Sequence, residues 1–418
     1  MALVTGRPLR FCMVTTFYPP YNFGGDGIFV QQLASELARR GHRVDVIHCI
    51  DSYRLLAGGE PAERYDDHPG VRVHGLRSRA GLLSPLVTHQ TGFPWLNRKK
   101  IRSVLAQGFD VIHYHNVSLV GGPGVLGFGR GLKVYTPHDY WLVCPTHLLF
   151  RYDGVPCRER RCLRCCAAHR RPPQAWRRLG LLAPALRRVS AFLVPSRFSA
   201  ECHRSRGMDL PFVHLPNFAP EAKNEVPLSA GSAPELRGRP YFLFAGRLER
   251  VKGLQTLIPF FLRLQRAELW IAGTGGFETR LRELAQGSGA IRFLGRKTGD
   301  ELRPLYRDAA ALVVPSLCWD IGPLVVAEAF REGTPVIVRN RGGMPELAEE
   351  GGGGFVYDTE VELEQAVTRL LDDPGLRREM GARAQGTYRR LLSPEVHLRR
   401  YFDVLREGLA GTRTRGWE

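Results

Sequence analysis

A strand, a loop with several glycines, a helix and a second strand follow one another near the start of the chain, and this order constrains the fold more than any other feature. The strand covers residues 11–15, the loop holds Gly24-Gly25-Asp26-Gly27, the helix covers 28–40 and the next strand 44–47. The helix has one apolar face, and Gly41 ends it. Units of this order build parallel sheets with helices on both faces.

The same order returns in the second half of the chain. A strand at 241–245 is followed by a loop from Gly246 to Gly253, a helix at 254–264 and a strand at 268–273. Further strands are predicted at 71–73, 111–113, 133–136, 191–195, 291–294, 311–314 and 336–338. Because 418 residues exceed one ordinary core, we predict an α/β chain of two doubly wound, Rossmann-like domains. Residues 220–240, rich in Pro, Ser, Gly, Ala and Glu, are the predicted linker.

Composition is that of a soluble globular enzyme, with 44% apolar and 24% charged residues. The sequence has no run of eighteen apolar residues that would span a membrane. Its N-terminus lacks the apolar middle and cleavage site of a signal peptide, so the cytoplasm is the expected location. The nine cysteines are then expected to be reduced, which favours metal binding or packing over disulfides.

The charge balance is strongly basic, with 59 Lys and Arg against 41 Asp and Glu, a net charge of +18. Acidic partners are therefore expected, such as phosphates, nucleic acid or an anionic membrane. Fourteen arginines lie in residues 151–206 against three acids. Nucleic acid is disfavoured, because aromatic residues do not alternate with the basic ones as a base-stacking surface requires. A base-composition bias of the genome is an alternative explanation for the arginines.

Two acids bracket an apolar stretch in the second half. Asp320 precedes Gly322-Pro323, and Glu328 follows eight residues after Asp320. We predict that Gly322 caps a helix and that Pro323 lies in its first turn, with Glu328 near the second turn. Carboxylates beside free helix-start N–H groups suit a ligand with hydroxyls and phosphates. The alternative is a capping acid plus a surface glutamate.

Two cations in the second glycine loop suit a diphosphate. Arg247 and Lys252 are five residues apart, next to Gly246 and Gly253, which allow the backbone to approach a ligand closely. Loops at the carboxyl ends of strands carry the ligand sites of such sheets. If the two sheets face one another, these cations could share one cleft with the glycine loop, His138-Asp139 and the Asp320 loop.

These pieces together resemble the family 4 glycosyltransferases, which are retaining nucleotide-sugar enzymes of GT-B fold, with two Rossmann-like domains facing across a cleft. In the first half the resemblance lies in Gly24-Gly25, LASELARRGHRVDVI, FDVIHYHN and TPHDYW. In the second half it lies in FAGRLERVKGL, LWIAGTG, FLG, VVPSLCWD, PLVVAEAFREGTPVI and GGMPEL. The ordered series covers nearly the whole chain. It implies an acceptor-side domain at 1–218, a nucleotide-sugar-binding domain at 219–395, and a tail at 396–418 that packs back towards the first domain.

The resemblance also implies residue roles. Glu328 matches the second acid of the family's Glu-x7-Glu motif and would hold the ribose hydroxyls, while Asp320 stands where the family has a glutamate near the donor sugar. Arg247 and Lys252 would neutralise the leaving diphosphate, and His138 would line the reaction centre. The implied donor-binding residues are Gly24, Gly25, Gly246, Leu324, Val325 and Glu328. For His138 the alternative is a buried packing histidine, and for Gly24-Gly25 a tight turn.

The function implied is retaining transfer of a sugar from a nucleotide-diphosphate sugar, with UDP favoured, to a hydroxyl of a saccharide or lipid-linked saccharide in cell-envelope polysaccharide biosynthesis. No metal cofactor is expected for catalysis, and the chain has no Asp-x-Asp. A nucleotide-sugar epimerase of the same shape is one alternative, and a basic nucleic-acid-binding protein is another.

Two further features lie in the arginine-rich part. Cys144, Cys157, Cys162 and Cys165 form a candidate structural zinc site, with reduced and partly buried thiols as the alternative. Arginine pairs at 170–171, 177–178 and 187–188 flank the mostly apolar residues 179–186. This pattern favours peripheral attachment to an anionic inner membrane surface. Alternatively, Leu179, Leu182 and Leu186 pack on the sheet while the arginines face water.

Overall fold

The first sheet has seven strands, all parallel, in the order β3-β2-β1-β4-β5-β6-β7. The computed structural model describes residues 7–61, 65–221 and 239–414, with side chains described to residue 410. The strands are β1 Arg10–Val14, β2 Arg43–Cys49, β3 Val71–Leu76, β4 Val111–Tyr114, β5 Leu132–Tyr135, β6 Ala191–Val194 and β7 Phe212–His214. The predicted linker at 220–240 lies almost entirely outside the described residues.

The second sheet has six parallel strands in the order β10-β9-β8-β11-β12-β13. They are β8 Tyr241–Ala245, β9 Glu268–Ala272, β10 Ile291–Gly295, β11 Ala311–Val314, β12 Val336–Arg339 and β13 Gly354–Tyr357. β8, β11 and the first residues of β12 are fully buried apolar runs, which is typical of strands covered by helices on both faces.

Helices alternate with the strands and cover the sheets. In the first half they are α1 Gly25–Arg39, α2 Ile50–Ala57, α3 Leu83–Thr91, α4 Arg98–Leu105, α5 Cys162–Ala168, α6 Leu182–Leu186 and α7 Arg197–Arg204. In the second half they are α8 Leu254–Leu264, α9 Glu278–Ala285, α10 Gly299–Arg307, α11 Leu324–Arg331, α12 Met344–Glu350, α13 Glu360–Asp372, α14 Pro374–Thr387 and α15 Pro394–Thr414. Short turns of other helix types lie at Pro123–Gly127, Ala175–Leu179, Arg250–Lys252 and Tyr388–Leu392. Two parallel sheets with alternating helices confirm the predicted fold class.

Two local predictions were wrong at helix starts. Helix α1 begins at Gly25 and not at residue 28, because Gly24 is extended and serves as its cap. Glycines of the predicted loop therefore form the first turn of the helix. Pro323 caps α11 with an extended ψ of 125°, so the helix begins at Leu324 and Gly322 is not the cap. The carbonyl of Gly322 instead accepts a hydrogen bond from Asn217 Nδ2 at 3.0 Å.

The C-terminal helix α15 packs against the first sheet although it follows the second one in sequence. Leu398, Tyr401, Phe402 and Leu405 are buried in the same apolar cluster as Phe11. The hydroxyl of Tyr401 lies 3.0 Å from Nδ1 of His113. Burial of these four apolar side chains ties the end of the chain to the first sheet.

Buried histidines make the stability of the first domain sensitive to acid. Burial lowers the pKa of His397 to about 4, and its Nδ1 lies 2.8 Å from the carbonyl of Pro216, a contact made by the neutral ring as donor. Because the folded-state pKa lies below the unfolded value, the unfolded chain binds the proton first. The contribution, about 3 kcal/mol by linkage, is present above the unfolded pKa and is lost as pH falls through the folded pKa.

We therefore expect the free energy of unfolding to fall between about pH 6.5 and about pH 4. The His397→Gln variant should show a smaller fall over the same range, whatever its stability at neutral pH. Urea unfolding at several pH values measures both slopes. Equal slopes for the two proteins would contradict the role given to His397.

Candidate functional site

An ion pair links the two loops of the second domain that the sequence singled out. Lys252 Nζ lies 2.8 Å from Asp320 Oδ2, with both side chains mostly buried. Burial opposes the charged form of Lys252, but the Asp320 carboxylate outweighs it and raises the lysine pKa. Lys252 is therefore a fixed cation at neutral pH.

The loop of Lys252 is pressed against the end of β11. Gly253 has a φ of +82°, and a Cβ on it would lie 1.9 Å from the carbonyl oxygen of Pro315. Any larger residue would force the loop that carries Lys252 away from Pro315. Glycine at this position is thus required by the close approach of two backbones.

The glycine loop of the first domain meets the second domain at this point. A Cβ on Gly24 would lie 3.6 Å from Nε of Arg247, and a Cβ on Gly25 would lie 3.4 Å from Leu324 Cδ1. Arg247 is partly exposed and pairs with Glu249 at 2.8 Å. The first turn of α1 and the first turn of α11 therefore face each other, with a guanidinium beside them.

The start of α11 supplies backbone donors. The first N–H groups of a helix, here those of Leu324 and Val325, have no partner within the helix. With the positive end of the helix dipole they favour an anion. Gly246 lies at the end of β8, where its N–H donates to the carbonyl of Ala272 at 3.0 Å.

Glu328 lies on α11 one turn further along. Its Oε2 accepts a hydrogen bond from the hydroxyl of Tyr306 at 2.7 Å. Burial raises the pKa of Glu328, partly offset by that hydrogen bond and by Arg331. Glu328 is thus a half-buried carboxylate held by a tyrosine, and the surface-glutamate alternative does not describe it.

His138 follows β5 and is the last of three neighbouring histidine rings. Its ring lies parallel to that of His115 at 5.2 Å, and the ring of His115 lies 4.0 Å from that of His113. His138 Nε2 and His115 Nδ1 are 3.0 Å apart, so one of them donates to the other. Burial lowers the pKa of His138, and Asp26 and Asp139 oppose this only in part. The neutral form of His138 is favoured.

A polar network surrounds this histidine. Asp139 Oδ2 lies 2.8 Å from His147 Nδ1 and 3.3 Å from Asn116 Nδ2. Asn116 also donates to Asp26 at 3.4 Å. The network joins the loop after β5, the loop after β4 and the first turn of α1, so the glycine loop and His138 are held to one another.

Five residues of this arrangement were missed by sequence reasoning as individual site residues. They are Asp26, His115, Asn116, His147 and Tyr306. His115 and Asn116 lie in the quoted HYHN segment, so a signal for them was present. Tyr306 lies outside all the family motifs, seven residues before the start of VVPSLCWD, and no pattern pointed to it. It meets Glu328 only through packing of α10 on α11.

Two family models match the chain. The model for Glycosyltransferase Family 4 matches residues 23–222, and the model for Glycosyl transferases group 1 matches residues 231–387. This chain belongs to the family 4 glycosyltransferases. The glycosyltransferase is 29% identical to the D-inositol 3-phosphate glycosyltransferase of Pseudarthrobacter chlorophenolicus, covering 86% of this chain and 85% of that one. Relatives and family models name glycosyltransferases, so the epimerase and nucleic-acid alternatives are not favoured.

Solved structures identify the fold as GT-B. Sucrose-phosphate synthase from Thermosynechococcus elongatus matches with a TM-score of 0.72 at 20% identity, covering 97% of this chain and 100% of that chain. Anabaena HepE in complex with UDP-glucose matches with a TM-score of 0.63 at 17% identity, covering 98% and 100%. At these identities the likeness establishes the fold of the glycosyltransferase.

Proposed function

We propose that this glycosyltransferase retains the anomeric configuration of a sugar that it moves from a nucleotide-diphosphate sugar to a hydroxyl of a saccharide or lipid-linked saccharide. A role in building a cell-envelope polysaccharide fits such acceptors. The observation that carries the proposal is the Lys252–Asp320 ion pair beside Arg247 and the two facing helix starts. The HepE structure contains UDP-glucose, which supports a UDP-sugar as the donor.

Charge development explains the cations. As the bond from the sugar to the diphosphate breaks, negative charge grows on the leaving group. Lys252 and the N–H groups of α11 are fixed in place before the reaction, so little reorganisation is needed, and Arg247 lies beside them. A donor of this kind contributes about 3–4 kcal/mol to lowering the barrier. For this reason we propose that catalysis needs no metal, and we expect activity without added Mg²⁺ or Mn²⁺.

The way in which the two acids are held supports a reaction with no covalent intermediate on either of them. Asp320 is paired with Lys252, and Glu328 accepts from Tyr306, so neither is presented as a free nucleophile. In the reaction we propose, an oxygen of the departing diphosphate takes the proton of the acceptor hydroxyl. The new bond then forms on the face that the diphosphate leaves. Neutral His138 lines the acceptor side, where it can donate or accept one hydrogen bond.

A donor screen tests this function. Purified enzyme is mixed with UDP-, GDP- or ADP-sugars and a lipid-extract acceptor, and nucleotide release is measured. We expect acceptor-dependent release with at least one UDP-sugar. NMR of the product should show the same anomeric configuration as the donor. A product of inverted anomeric configuration would overturn retention. If none of the three donor classes gives acceptor-dependent nucleotide release, the proposed function is wrong.

Attachment to an anionic membrane surface is the second part of the proposal. Exposed apolar side chains occur on α3 and on the segments next to it, namely Leu83, Leu86, Trp95, Leu96, Leu179 and Leu181. Trp176 joins these segments, since its indole N–H donates to the carbonyl of His89 at 3.1 Å. Exposed basic residues lie nearby in sequence, including Lys99, Lys100, Arg178 and Arg187. Basic and apolar side chains together favour an anionic interface.

The structure corrects two details of the membrane prediction. Arg177 points inward, donating to the carbonyl of Trp141 and stacking 4.6 Å from the ring of Trp176. Leu186 is buried in the core, as the packing alternative had it. Among the described residues, no helix is long and apolar enough to cross a bilayer.

We expect the enzyme to sediment with liposomes that contain acidic lipid and to be released by salt. Each cation near such a surface contributes about 1 kcal/mol. The double variant Arg178→Glu, Arg187→Glu should bind less, and Leu83→Ser with Leu179→Ser should bind less at any salt concentration. Exposed Arg280→Glu in the second domain is the matched control. Equal recovery in the supernatant with and without acidic lipid would contradict attachment.

A further inference from the structure

Four cysteines from three separate segments line one small cavity in the first domain. They are Cys144, Cys157, Cys162 and Cys165, and Pro145, Thr146, Phe150 and Arg161 complete the wall. The space between them is about 10 Å³, close to what one water-sized sphere occupies. We propose that this cavity is a structural zinc site in which the four thiolates bind one ion.

Local structure brings each thiol to the cavity. Cys144 lies in the loop after β5. A tight turn folds 150–156 back on itself, so that the N–H of Cys157 donates to the carbonyl of Leu149 at 2.6 Å. Cys162 and Cys165 are three residues apart on α5 and therefore share one face of the helix. Two loop segments and helix α5 thus converge on the cavity, and none of the four cysteines is in a disulfide.

The chemistry of the donors fits zinc. Zn²⁺ takes four cysteine thiolates in tetrahedral geometry in structural sites. Four thiolates and one Zn²⁺ have a net charge of −2, and two nearby arginines can balance this charge. Arg161 lines the cavity, and Arg206 Nη2 donates to the carbonyl of Cys157 at 2.7 Å. Charge balance at this site would account for part of the high arginine content of residues 151–206.

Side-chain rotation is needed to complete the site. Within the described residues no three His, Cys, Asp or Glu side chains already point at a common centre. Cys144 Sγ lies 3.2 Å from the hydroxyl of Thr146, and Cys157 Sγ donates to the carbonyl of Glu159 at 3.3 Å. These weak contacts are readily exchanged for bonds to a metal, and binding energy then stabilises the loop.

The site would hold a segment that matters for catalysis. Cys144 packs in one cluster with Tyr140, Leu149 and Ile321, and Ile321 follows Asp320. His147, in the same loop as Cys144, lies 2.8 Å from Asp139. Zinc would therefore fix the loop that joins the His138 network to the Asp320 loop, without touching the substrate.

Zinc content tests the proposal independently of activity. The full-length protein is expressed in zinc-supplemented medium, purified without chelator and analysed for metal. About one zinc per chain is expected for the wild type, and much less for Cys162→Ser, whose exposed position keeps the risk of misfolding low. Cys144→Ser should also lose zinc. Cys166→Ser is the matched control, because this buried thiol is next to Cys165 but does not line the cavity.

Cobalt gives a second measurement. Protein reconstituted with Co²⁺ should show thiolate-to-cobalt charge transfer and the intense visible bands of a tetrahedral site. Wild-type protein with zinc well below one per chain would overturn the proposal. The proposal would also be overturned if Cys162→Ser retains zinc or if Cys166→Ser loses it. A protein mass that reveals a disulfide between two of the four cysteines would overturn it as well.

Discussion

Replacing Lys252 by alanine is expected to lower kcat by about 10²–10³-fold while the fold is kept. The ammonium group is held in place by Asp320, and in the proposed mechanism it lies where negative charge grows on the leaving diphosphate. In the variant, water can fill the space left by the ammonium group, but the protein does not hold that water in position before the reaction. Steady-state kinetics with the donor identified in the screen measures the loss, and thermal unfolding checks the fold.

The loss should be specific to this position. Arg250→Ala, two residues earlier and exposed, is the matched control and should keep near wild-type turnover. Arg247→Ala should behave like Lys252→Ala, since its guanidinium lies beside Gly24. Asp320→Glu keeps the charge that pairs with Lys252 and should keep measurable activity. Near wild-type kcat in Lys252→Ala would mean that the leaving group lies elsewhere.

Replacing Glu328 by glutamine is expected to lower kcat/KM for the donor by about 10–100-fold. Glutamine keeps the shape and an oxygen that can accept from Tyr306. It removes the negative charge that, in the proposed donor complex, strengthens the hydrogen bonds from the ribose hydroxyls. Because this contact is made before and during the reaction, the larger part of the change should be a higher KM. Donor titration at a fixed acceptor concentration measures it.

A variant of Tyr306 distinguishes the effect of the Glu328 charge from that of the hydrogen bond that holds Glu328 in place. Tyr306→Phe removes the hydroxyl that holds Glu328 but leaves the charge, so a smaller loss than in Glu328→Gln is expected. Exposed Glu379→Gln on α14 should leave kcat/KM unchanged. If Glu328→Gln retains the wild-type KM for the donor, Glu328 does not bind the nucleotide.

The sequence by itself predicted the two doubly wound sheets. Local order and apolar runs were enough, since β8 and α8 have the bounds that the pattern gave. Strands β7 and β13 were missed, because Phe212–His214 and Gly354–Tyr357 are short and only partly buried. Such edge strands have little apolar surface from which to be recognised, and they form by pairing with a neighbour.

Candidate site residues were predicted one by one, but their partners were not. Lys252 and Asp320 are 68 residues apart in sequence, and their 2.8 Å contact depends on β8 lying next to β11. The facing of Gly24 and Arg247 depends in addition on how the two domains pack. Sequence periodicity indicates which side of a helix or strand is buried, but it does not indicate which other helix, strand or loop packs against that side.

The three neighbouring histidines and the cysteine cavity show the same difference between what the sequence predicts and what the tertiary structure determines. Sequence alone determined that His138 follows a buried strand and that four cysteines lie within 22 residues. Only the tertiary structure decided that the neutral form of His138 is favoured, because desolvation by the surrounding core lowers its pKa. Only chain folding brought Cys144 and Cys157 to the face of α5. Helices and strands are determined by residues that are close in sequence, so the sequence alone predicts them. Burial and side-chain contacts depend on residues that are distant in sequence, so only the tertiary structure determines them.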